Sequence, residues 1–586
     1  MLRRAERSHP NVVVARLRNL HMLARMALRH AQDDPARLAV QAARRLPHRA
    51  RTQVAGLLTT GARGPASTRK ALAAFIADRP DDARDILLAR MHGGGLGRVA
   101  AELAVQVGLD PTEDAPSSVR ARAAWRRGDL AEALRVLSHD DSRAGRRLYH
   151  RLASERRTMM PGYRLTPPLH SPVHPSRTEQ PRALHILTNS LPRTQSGYAL
   201  RSHAILQSQQ RNGIAVHAVT RIGYPVNVGL YRAPDIDDVD GVSYERLLPP
   251  VLAATPEARL AQTVQALTGV VHRFRPSVLH TTTHFPNALV TSAAAASFGL
   301  PWVYEVRGQL EKTWLAARPE HEREQAASSE RYRLAKAKET ELALAADHVV
   351  VLSNALQADL VDRGVPADRL TVVPNAVDER LLSLSVTSAE ARRSVGLPEE
   401  GFWVGTVSSL VAYEGLDLLV DAVALLRGKG LDIRCAIVGD GISRPALMRR
   451  AAEHGLAHHA LFPGRVARAE APRWHRALDV FVVPRRDVDV CRTVTPLKPI
   501  EAMAVGRPVV ASALPALAEI VEAPETGLMF GADDALALAD TLTALHDDQG
   551  LRRTLSANGR DFAATRTWSA MSERYRRIYE DLGSRA

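Results

Sequence analysis

The chain has 586 residues, enough for roughly two to four domains with sizeable apolar cores. Its net charge of +15 suits nucleic acid, anionic lipid or phosphorylated substrates and does not choose among them. The two cysteines, Cys435 and Cys491, exclude a disulfide framework and a cysteine-based zinc site, which is typical of a reducing compartment. The start lacks an apolar segment, and Pro, Asn and Gly interrupt the uncharged stretch 285–304. We therefore expect neither a signal peptide nor a transmembrane helix.

Residues 1–157 are rich in Ala, Arg and Leu, and their apolar spacing predicts an all-α domain. Two passages in it, 75–88 and 124–137, look alike, and the second resembles the turn of tetratricopeptide-type repeats. Two copies at an irregular distance do not establish a solenoid. The arginines of this region indicate either a solvated face or contact with anionic lipid, glycan or nucleic acid. The region is therefore a candidate for peripheral membrane or protein docking.

Residues 158–181 contain six prolines among Ser, Thr and His, which is the composition of a linker. From residue 182 onward, apolar strands alternate with helices, a pattern that predicts parallel sheets. We assign residues 182–395 to one α/β domain, 396–566 to a second, and 567–586 to a final amphipathic helix. The highly charged segment 312–345 is expected to be a long helical stretch, with ion pairs between neighbouring turns.

Polar residues follow the strands of the first α/β domain. Ser196 and Gly197 open a helix whose backbone amides could approach a phosphate or a hydroxyl, although a tight turn explains them equally well. His280 and His284 lie on and just after another strand. Taken alone, each is more often a hydrogen-bonded core or loop histidine than a catalytic one.

A further apolar strand ends in Glu305 and Arg307. Charged residues on such a strand need partners, which favours a functional site over chance. Asn375 lies in a Pro-Asn-Ala turn, where it is either a residue at the edge of a cleft or an ordinary turn asparagine.

The stretch 479–512 of the second domain reads as strand, loop, helix and strand. Thr495 is a credible N-cap, with Pro496 at the first helical position. Lys498 lies one turn from Glu501 on the same helix face, so the pair could hold a phosphate and a sugar hydroxyl. An isolated pair of this kind is otherwise a surface ion pair.

The segment Pro496-Leu-Lys-Pro-Ile-Glu-Ala-Met-Ala504 resembles the nucleotide-sugar signature of glycosyltransferase family 4, whose members are retaining enzymes with the GT-B fold. The segments Ser190-Leu-Pro, Ser196-Gly-Tyr and Tyr304-Glu-Val-Arg-Gly308 resemble the surface-polysaccharide members of that family. The resemblance covers residues 183–582. It implies two Rossmann-like parallel-sheet domains facing a cleft, with the last helix crossing back to the first, and leaves the helical extension outside.

The resemblance also implies roles for individual residues. Glu501 would grip the ribose of the donor, and Lys498, Arg492 and the helix start at Thr495 would hold its diphosphate. The remaining donor-side candidates are Gly197, Gly464, Val466 and Glu519. Arg307, Glu305 and His284 would act with Lys498 in catalysis, and Ser196, His280 and Asn375 would lie on the acceptor side.

This sequence departs from the family pattern at three positions. The first glutamate of the family's Glu-x7-Glu motif falls on Thr493, and the family's phosphate-binding arginine and lysine fall near Ser409 and on Glu414. A leaving nucleoside diphosphate needs cations. Besides Lys498, the candidate replacements are Arg485, Arg486 and Arg492.

The sequence therefore predicts a glycosyltransferase that moves a hexose from a nucleoside-diphosphate sugar to a glycan or lipid-linked acceptor in cell-surface or exopolysaccharide assembly. No metal or other cofactor is expected, and neither is a specific nucleic-acid partner. The expected location is the cytoplasm, including the inner face of the plasma membrane. The alternatives are a catalytically silent GT-B scaffold or glycan-binding protein, a GT-B epimerase, and a nucleic-acid-binding protein that would rest on charge alone.

Overall fold

The computed structural model describes residues 10–33, 36–38, 40, 48–60, 67–92, 96–166, 180–521 and 525–585. Its first part is helical. The helices are α1 (Pro10–Asp33), α2 (His48–Thr59), α3 (Thr68–Ile76), α4 (Pro80–His92), α5 (Arg98–Gln106), α6 (Ser117–Arg127), α7 (Leu130–Ser138) and α8 (Arg143–Met159). Among the described residues, no helix combines the length and the apolarity needed to cross a bilayer.

The turn between α6 and α7 depends on Gly128. Its φ of +98° is in the left-handed region, and its N–H bonds back to the carbonyls at the end of α6. A Cβ at this position would lie 2.5 Å from the Ser329 hydroxyl of the first α/β domain. Glycine is therefore required both by the turn and by the close packing of the extension against that domain.

The helical extension is bonded to the first α/β domain at several points. The Asn19 side-chain amide donates hydrogen bonds to the carbonyls of Tyr231 (3.0 Å) and Ala233 (2.9 Å). The guanidinium of Arg156 pairs with Glu330 at 2.6 Å. Met22, Leu130 and Met159 also belong to the same apolar core as the strands of that domain. The extension and the first α/β domain therefore form one packed body.

The beginning of the predicted linker is packed structure. Leu165 is buried, the Gly162 N–H donates to Glu341 (2.9 Å), and the Lys338 ammonium donates to the Tyr163 carbonyl (3.1 Å). Residues 167–179, which hold four of the six prolines of this segment, lie outside the described residues.

The first α/β domain is built on a sheet with the strand order β3-β4-β2-β1-β5-β6-β7-β8. Its strands are parallel except that β3 is antiparallel to β4. The strands are β1 (Arg182–Leu187), β2 (Ala215–Thr220), β3 (Ile236–Val239), β4 (Val242–Arg246), β5 (Val278–Thr282), β6 (Trp302–Val306), β7 (His348–Val351) and β8 (Leu370–Val372). The central strands are buried on both faces, as their apolar runs predict.

Helices cover both faces of this sheet. They are α9 (Gly197–Arg211), α10 (Pro256–Phe274), α11 (Phe285–Phe298), α12 (Leu310–Ala316), α13 (Glu320–Ala327), α14 (Glu330–Ala345) and α15 (Asn354–Asp362). The segment 312–345 is helical, and α12, α13 and α14 divide it into three helices. Pro319 precedes α13, and the Ser329 hydroxyl caps α14 by accepting from the Tyr332 N–H, so both residues favour new helix starts.

The second α/β domain has an all-parallel sheet with the order β11-β10-β9-β12-β13-β14. The strands are β9 (Phe402–Val407), β10 (Ile433–Val438), β11 (Ala460–Gly464), β12 (Val480–Val483), β13 (Val509–Ser512) and β14 (Gly527–Phe530). The helices before and around it are α16 (Glu379–Leu382), α17 (Ser388–Ser394), α18 (Leu416–Gly428), α19 (Arg444–Glu453), α20 (Ala471–Ala477), α21 (Asp489–Thr493), α22 (Lys498–Ala504), α23 (Pro515–Ala518), α24 (Ala535–Asp547) and α25 (Gln549–Thr565).

The last helix, α26 (Trp568–Arg585), returns to the first domain. Tyr575 and Tyr579 are buried there in one apolar cluster with Ile205 of α9 and Val278 of β5. The chain thus consists of two Rossmann-like domains with GT-B connectivity, preceded by a helical extension.

A buried carboxylate ties α14 to the sheet. Glu339 accepts hydrogen bonds from the Tyr304 hydroxyl and from the Phe285 N–H at the start of α11. Burial raises the Glu339 pKa to about 7. Because this pKa is raised in the folded state, stability should fall as pH rises from about 4.5 to 7.

We predict that Glu339→Gln, which stays neutral, removes this loss: its amide oxygen can accept from the Phe285 N–H, and its NH2 group can donate to the Tyr304 hydroxyl oxygen. At pH 8 the variant should be more stable than the wild type by up to about 3 kcal/mol, with the gap closing toward pH 5. Urea unfolding across this pH range measures the effect, with Glu324→Gln as an exposed control. A pH-independent difference between variant and wild type would contradict the assignment.

Candidate functional site

A cavity of about 340 Å³ lies between the two α/β domains, where the carboxyl ends of their strands face each other. Residues that follow β5, β6 and β7 line one side, and residues that follow β9 and β12 line the other. The charged residues of its lining are Arg201, Arg307, Glu414, Arg485 and Lys498. Ligands of open α/β sheets bind at such strand ends, so this cleft is the candidate site.

Glu305 is the centre of a buried charge cluster beneath the cavity. Arg201 donates to its Oε1 from Nε (3.1 Å) and Nη2 (2.9 Å), and Arg307 donates to its Oε2 from Nη2 (2.9 Å). Burial alone would raise the Glu305 pKa, but Arg307 and Arg201 hold it well below its usual range. The carboxylate is therefore ionised and is shared by two cations.

Arg307 faces the cavity with capacity to bind a ligand. Its Nη1 donates to the Ser202 hydroxyl (2.6 Å), and its guanidinium lies 5.1 Å from the centre of the Tyr198 ring. Its buried Nε has no hydrogen-bond partner in the described part of the chain. An oxygen-rich ligand in the cavity would satisfy this donor.

The two candidate histidines occupy different positions. His280 is fully buried between the Tyr579 hydroxyl (2.7 Å) and Glu305 (3.2 Å), so the acceptor-side position expected for it is wrong. His284 does line the cavity, at the N-cap of α11, and its buried Nδ1 has no partner among the described residues. Burial lowers the pKa of both imidazoles, so both are neutral near pH 7.

The N-terminus of α9 lies at the cavity as expected. Gly197 and Tyr198 line it, and Ser196 caps the helix by accepting a hydrogen bond from the Ala199 N–H (3.3 Å). The 15-residue helix directs the positive end of its dipole toward this region.

Lys498 lines the opposite side of the cavity and is half-buried. It forms no ion pair with any residue that the structure describes. It is also the first residue of α22, so the predicted helix start at Thr495 is wrong. The Thr495 carbonyl accepts instead from the Asn375 side-chain amide (2.9 Å), which joins the two domains.

Arg485 does not replace the family's phosphate-binding arginine or lysine, because its charge is already neutralised within the protein. It lines the cavity, but its Nε (3.2 Å) and Nη2 (2.8 Å) donate to the two oxygens of Glu414, and its Nη1 donates to the Val494 carbonyl (2.8 Å). Glu414, which falls at the position of the family lysine, thus forms a buried ion pair with Arg485, and this pair supplies no net positive charge to the cavity.

The other arginines of the basic loop lie outside the lining of the cavity. Arg486 pairs with Asp417 and with Asp533, and the exposed Arg492 pairs with Asp487. The expectation that Arg492 holds a diphosphate does not fit this geometry, since its own neighbour neutralises it.

The balance of charge around the cavity remains positive. Four cations, those of Arg201, Arg307, Arg485 and Lys498, stand against the carboxylates of Glu305 and Glu414. With the histidines neutral, two positive charges are left unmatched. They would attract a ligand with about two negative charges.

The remaining donor-side candidates lie around the cavity and not in its lining. Glu501 is on α22 with its Oε2 3.7 Å from the His475 Nε2. Glu519 accepts from the N–H groups of Asn354 (2.8 Å) and Ala355 (2.7 Å) at the start of α15. A helix N-terminus of the other domain thus engages both oxygens of Glu519, and its donor-side role stays a prediction.

Gly464 ends β11 with a φ of +83°, and its carbonyl accepts from the Gly439 N–H (2.9 Å). A Cβ on Gly439 would lie 1.8 Å from the Ser408 carbonyl oxygen, so glycine is needed for these loops to meet. Val466 is partly buried and packs against the core of the second domain.

Neither Arg201 nor the Arg485–Glu414 ion pair was predicted from the sequence as part of the site. Arg201 lies one turn into α9, and its other contacts are the Val373 carbonyl (2.9 Å) and Asn375 Oδ1 (2.9 Å). Glu305 could have indicated a residue such as Arg201, because a carboxylate on an otherwise apolar strand requires cationic partners.

We predict that Glu305→Gln destabilises the protein by about 3–5 kcal/mol, since it leaves two buried guanidinium groups without a counter-charge. The matched control is Glu399→Gln, which breaks the exposed pair with Arg393 and should cost less than about 1 kcal/mol. Urea unfolding at constant pH compares them. Equal effects from the two variants would exclude the buried cluster as a stabilising element.

Two family models match the chain and together span more than half of it. A "Glycosyl transferase 4-like domain" matches residues 196–376, and "Glycosyl transferases group 1" matches residues 401–548. These ranges coincide with the two α/β domains, and the helical extension lies outside both.

Similar curated proteins include a lipopolysaccharide core biosynthesis mannosyltransferase, LpsB, from Rhizobium meliloti. It is 34% identical over 196 residues, which are 32% of this chain and 54% of that protein. A D-inositol 3-phosphate glycosyltransferase from Salinispora arenicola is 31% identical over 245 residues, which are 39% of this chain and 54% of that protein. The chain thus spans about half the length of these curated relatives.

Similar solved structures share the fold. Sucrose-phosphate synthase from Thermosynechococcus elongatus matches 70% of this chain and all of its own, with a TM-score of 0.57 and 22% identity. HepE from Anabaena, solved in complex with UDP, matches 69% of this chain and all of its own, with a TM-score of 0.52 and 20% identity. By its sequence signatures, its two matching domains and this fold, the chain belongs to the GT-B glycosyltransferases of the family 4 type.

Proposed function

We propose that the protein transfers a hexose from a nucleoside-diphosphate sugar to a hydroxyl group of a glycan or lipid-linked acceptor, with retention at the anomeric carbon. The observation that carries the proposal is the excess of two positive charges in the cavity between the strand ends of both domains. The diphosphate of a sugar nucleotide carries two negative charges and therefore matches this excess. Assembly of cell-surface or exopolysaccharide is the proposed setting.

Lys498 is the proposed catalytic cation. When the bond to the sugar breaks, a further negative charge develops on the β-phosphate, and a positioned ammonium stabilises it. Lys498 is available for this because it forms no ion pair in the described chain. Charge neutralisation by side chains in this way needs no metal ion, and metal independence is part of the proposal.

On the other side of the cavity, Arg307 is proposed to bind the diphosphate or an acceptor hydroxyl through its free Nε. Glu305 cannot act as the base, because two arginines donate hydrogen bonds to it and hold its pKa well below the usual range. A carboxylate with so low a pKa does not take up a proton. It is proposed to position Arg307. The neutral His284 imidazole is placed to accept a hydrogen bond from the acceptor hydroxyl.

The relatives support this choice of donor class. HepE was solved with UDP, and LpsB is named a mannosyltransferase. The first records a nucleotide ligand and the second the transfer of a hexose, and the donor base of this protein is left to experiment. Glu501, one turn beyond Lys498 on α22, is the proposed ribose ligand.

A catalytically silent scaffold is the second candidate. The observation that favours it is the Glu414–Arg485 pair, which replaces the family lysine by a neutralised contact. A scaffold of this kind would bind a nucleotide or glycan without releasing nucleoside diphosphate.

We predict that Lys498→Ala lowers the turnover of the full-length enzyme about 10²–10³-fold, as the loss of one preorganised charge does. The measurement is the release of UDP, GDP or ADP from the matching sugar nucleotides in the presence of acceptor extract. Lys429→Ala, an exposed lysine of the same domain, is the control and should keep full activity. No release by the wild type with any donor, despite nucleotide binding, would favour the scaffold.

Nucleotide binding itself is tested by thermal shift with UDP, GDP and ADP on the wild type and on Glu501→Ala. A nucleotide at about 100 times its Kd should stabilise the wild type by roughly 2.7 kcal/mol. We expect one nucleotide to do so and the variant to lose most of that shift. An unchanged shift in the variant would remove Glu501 from the donor site.

A further inference from the structure

Helix α1 carries apolar residues on its outward side as well as on the side that packs against the protein, where Met22, Leu23 and Met26 lie. The side that faces the first α/β domain carries Asn19 and Met22, both of which are buried. Leu17 and Leu28, by contrast, are 61% and 58% exposed. The bonds of Asn19 to two backbone carbonyls fix this orientation, so the outward leucines are not a consequence of a loosely held helix.

The exposed apolar positions form one continuous stripe. Each lies three or four residues from another member of the set, which keeps them on one face of a helix. The stripe consists of Val13, Leu17, Leu20, Ala24, Ala27 and Leu28. A stripe of this length on a 24-residue helix is an uncommon surface for a protein to leave uncovered.

The charge around this stripe is strongly positive. Residues 1–77 contain fifteen arginines and lysines and three acidic residues, so they hold twelve of the fifteen net positive charges of the whole chain. On α1 itself, Arg16 and Arg25 border the stripe, and the acidic residue of the helix, Asp33, is at its end. An apolar stripe with basic borders is the pattern of helices that lie in the surface of an anionic bilayer.

We propose that α1 is an in-plane anchor that binds an anionic lipid surface, with its leucine stripe among the acyl chains and its arginines at the headgroups. Pairing with a second copy of α1 is disfavoured, because the borders would bring arginines against arginines. Nucleic acid would use the charges and leave the leucines in water. The proposal is independent of the transferase activity.

The test is co-sedimentation of the full-length protein with vesicles of phosphatidylglycerol and phosphatidylcholine, and with vesicles of phosphatidylcholine alone. The wild type should bind the anionic vesicles, and high salt should weaken the binding. Leu17→Gln combined with Leu20→Gln should reduce the affinity about tenfold or more. Arg25→Gln should reduce it about fivefold at low salt.

Leu425→Gln combined with Leu536→Gln is the matched control, since these leucines are as exposed but lie on the second α/β domain. It should leave vesicle binding unchanged. Absence of binding to anionic vesicles would overturn the proposal, as would binding that the stripe variant does not weaken. A dimer seen by light scattering and abolished by the stripe variant would also overturn it, in favour of a second copy as the occupant.

Discussion

One buried carboxylate, Glu305, sets the constraint on which the rest of the site depends. A charge in the interior is tolerated only when partners surround it, and Glu305 takes them from α9, from its own strand and from β5. Those partners are the residues that shape one wall of the cavity. The need of Glu305 for cationic and hydrogen-bonding partners therefore constrains how α9, the strand ends and α26 are arranged around the cleft.

The cleft also shows how the positive charge of the second domain has become concentrated on one residue. Glu414 stands where the family lysine falls, and Arg485 from the next strand meets it across the loop. Gly415 permits the contact, because a Cβ there would lie 1.9 Å from the Pro484 carbonyl oxygen. The pair is neutral as a unit, so the excess charge of the second domain rests on Lys498.

Much of the architecture could be predicted from local sequence. Buried parallel strands such as β6 and β12 are apolar throughout, and their alternation with helices specifies two sheets. The helix start at Lys498 could not be predicted from the Thr-Pro pattern, because the Thr495 carbonyl is engaged by Asn375 from the other domain. The pairs Arg201–Glu305 and Glu414–Arg485 join residues that are 104 and 71 positions apart in the sequence. Local sequence patterns do not predict contacts between residues so far apart.

The bonds between the two domains have a consequence for motion. Besides the Asn375 contact, the Ser353 hydroxyl donates to the Thr493 carbonyl, and Glu519 accepts from the start of α15. Each is a polar contact that water can replace, worth about 0.5–1.5 kcal/mol. We therefore expect the two α/β domains to separate and close again without unfolding. Because the helical extension is packed against the first α/β domain, these two parts should move together. The smaller second α/β domain would then move relative to both of them.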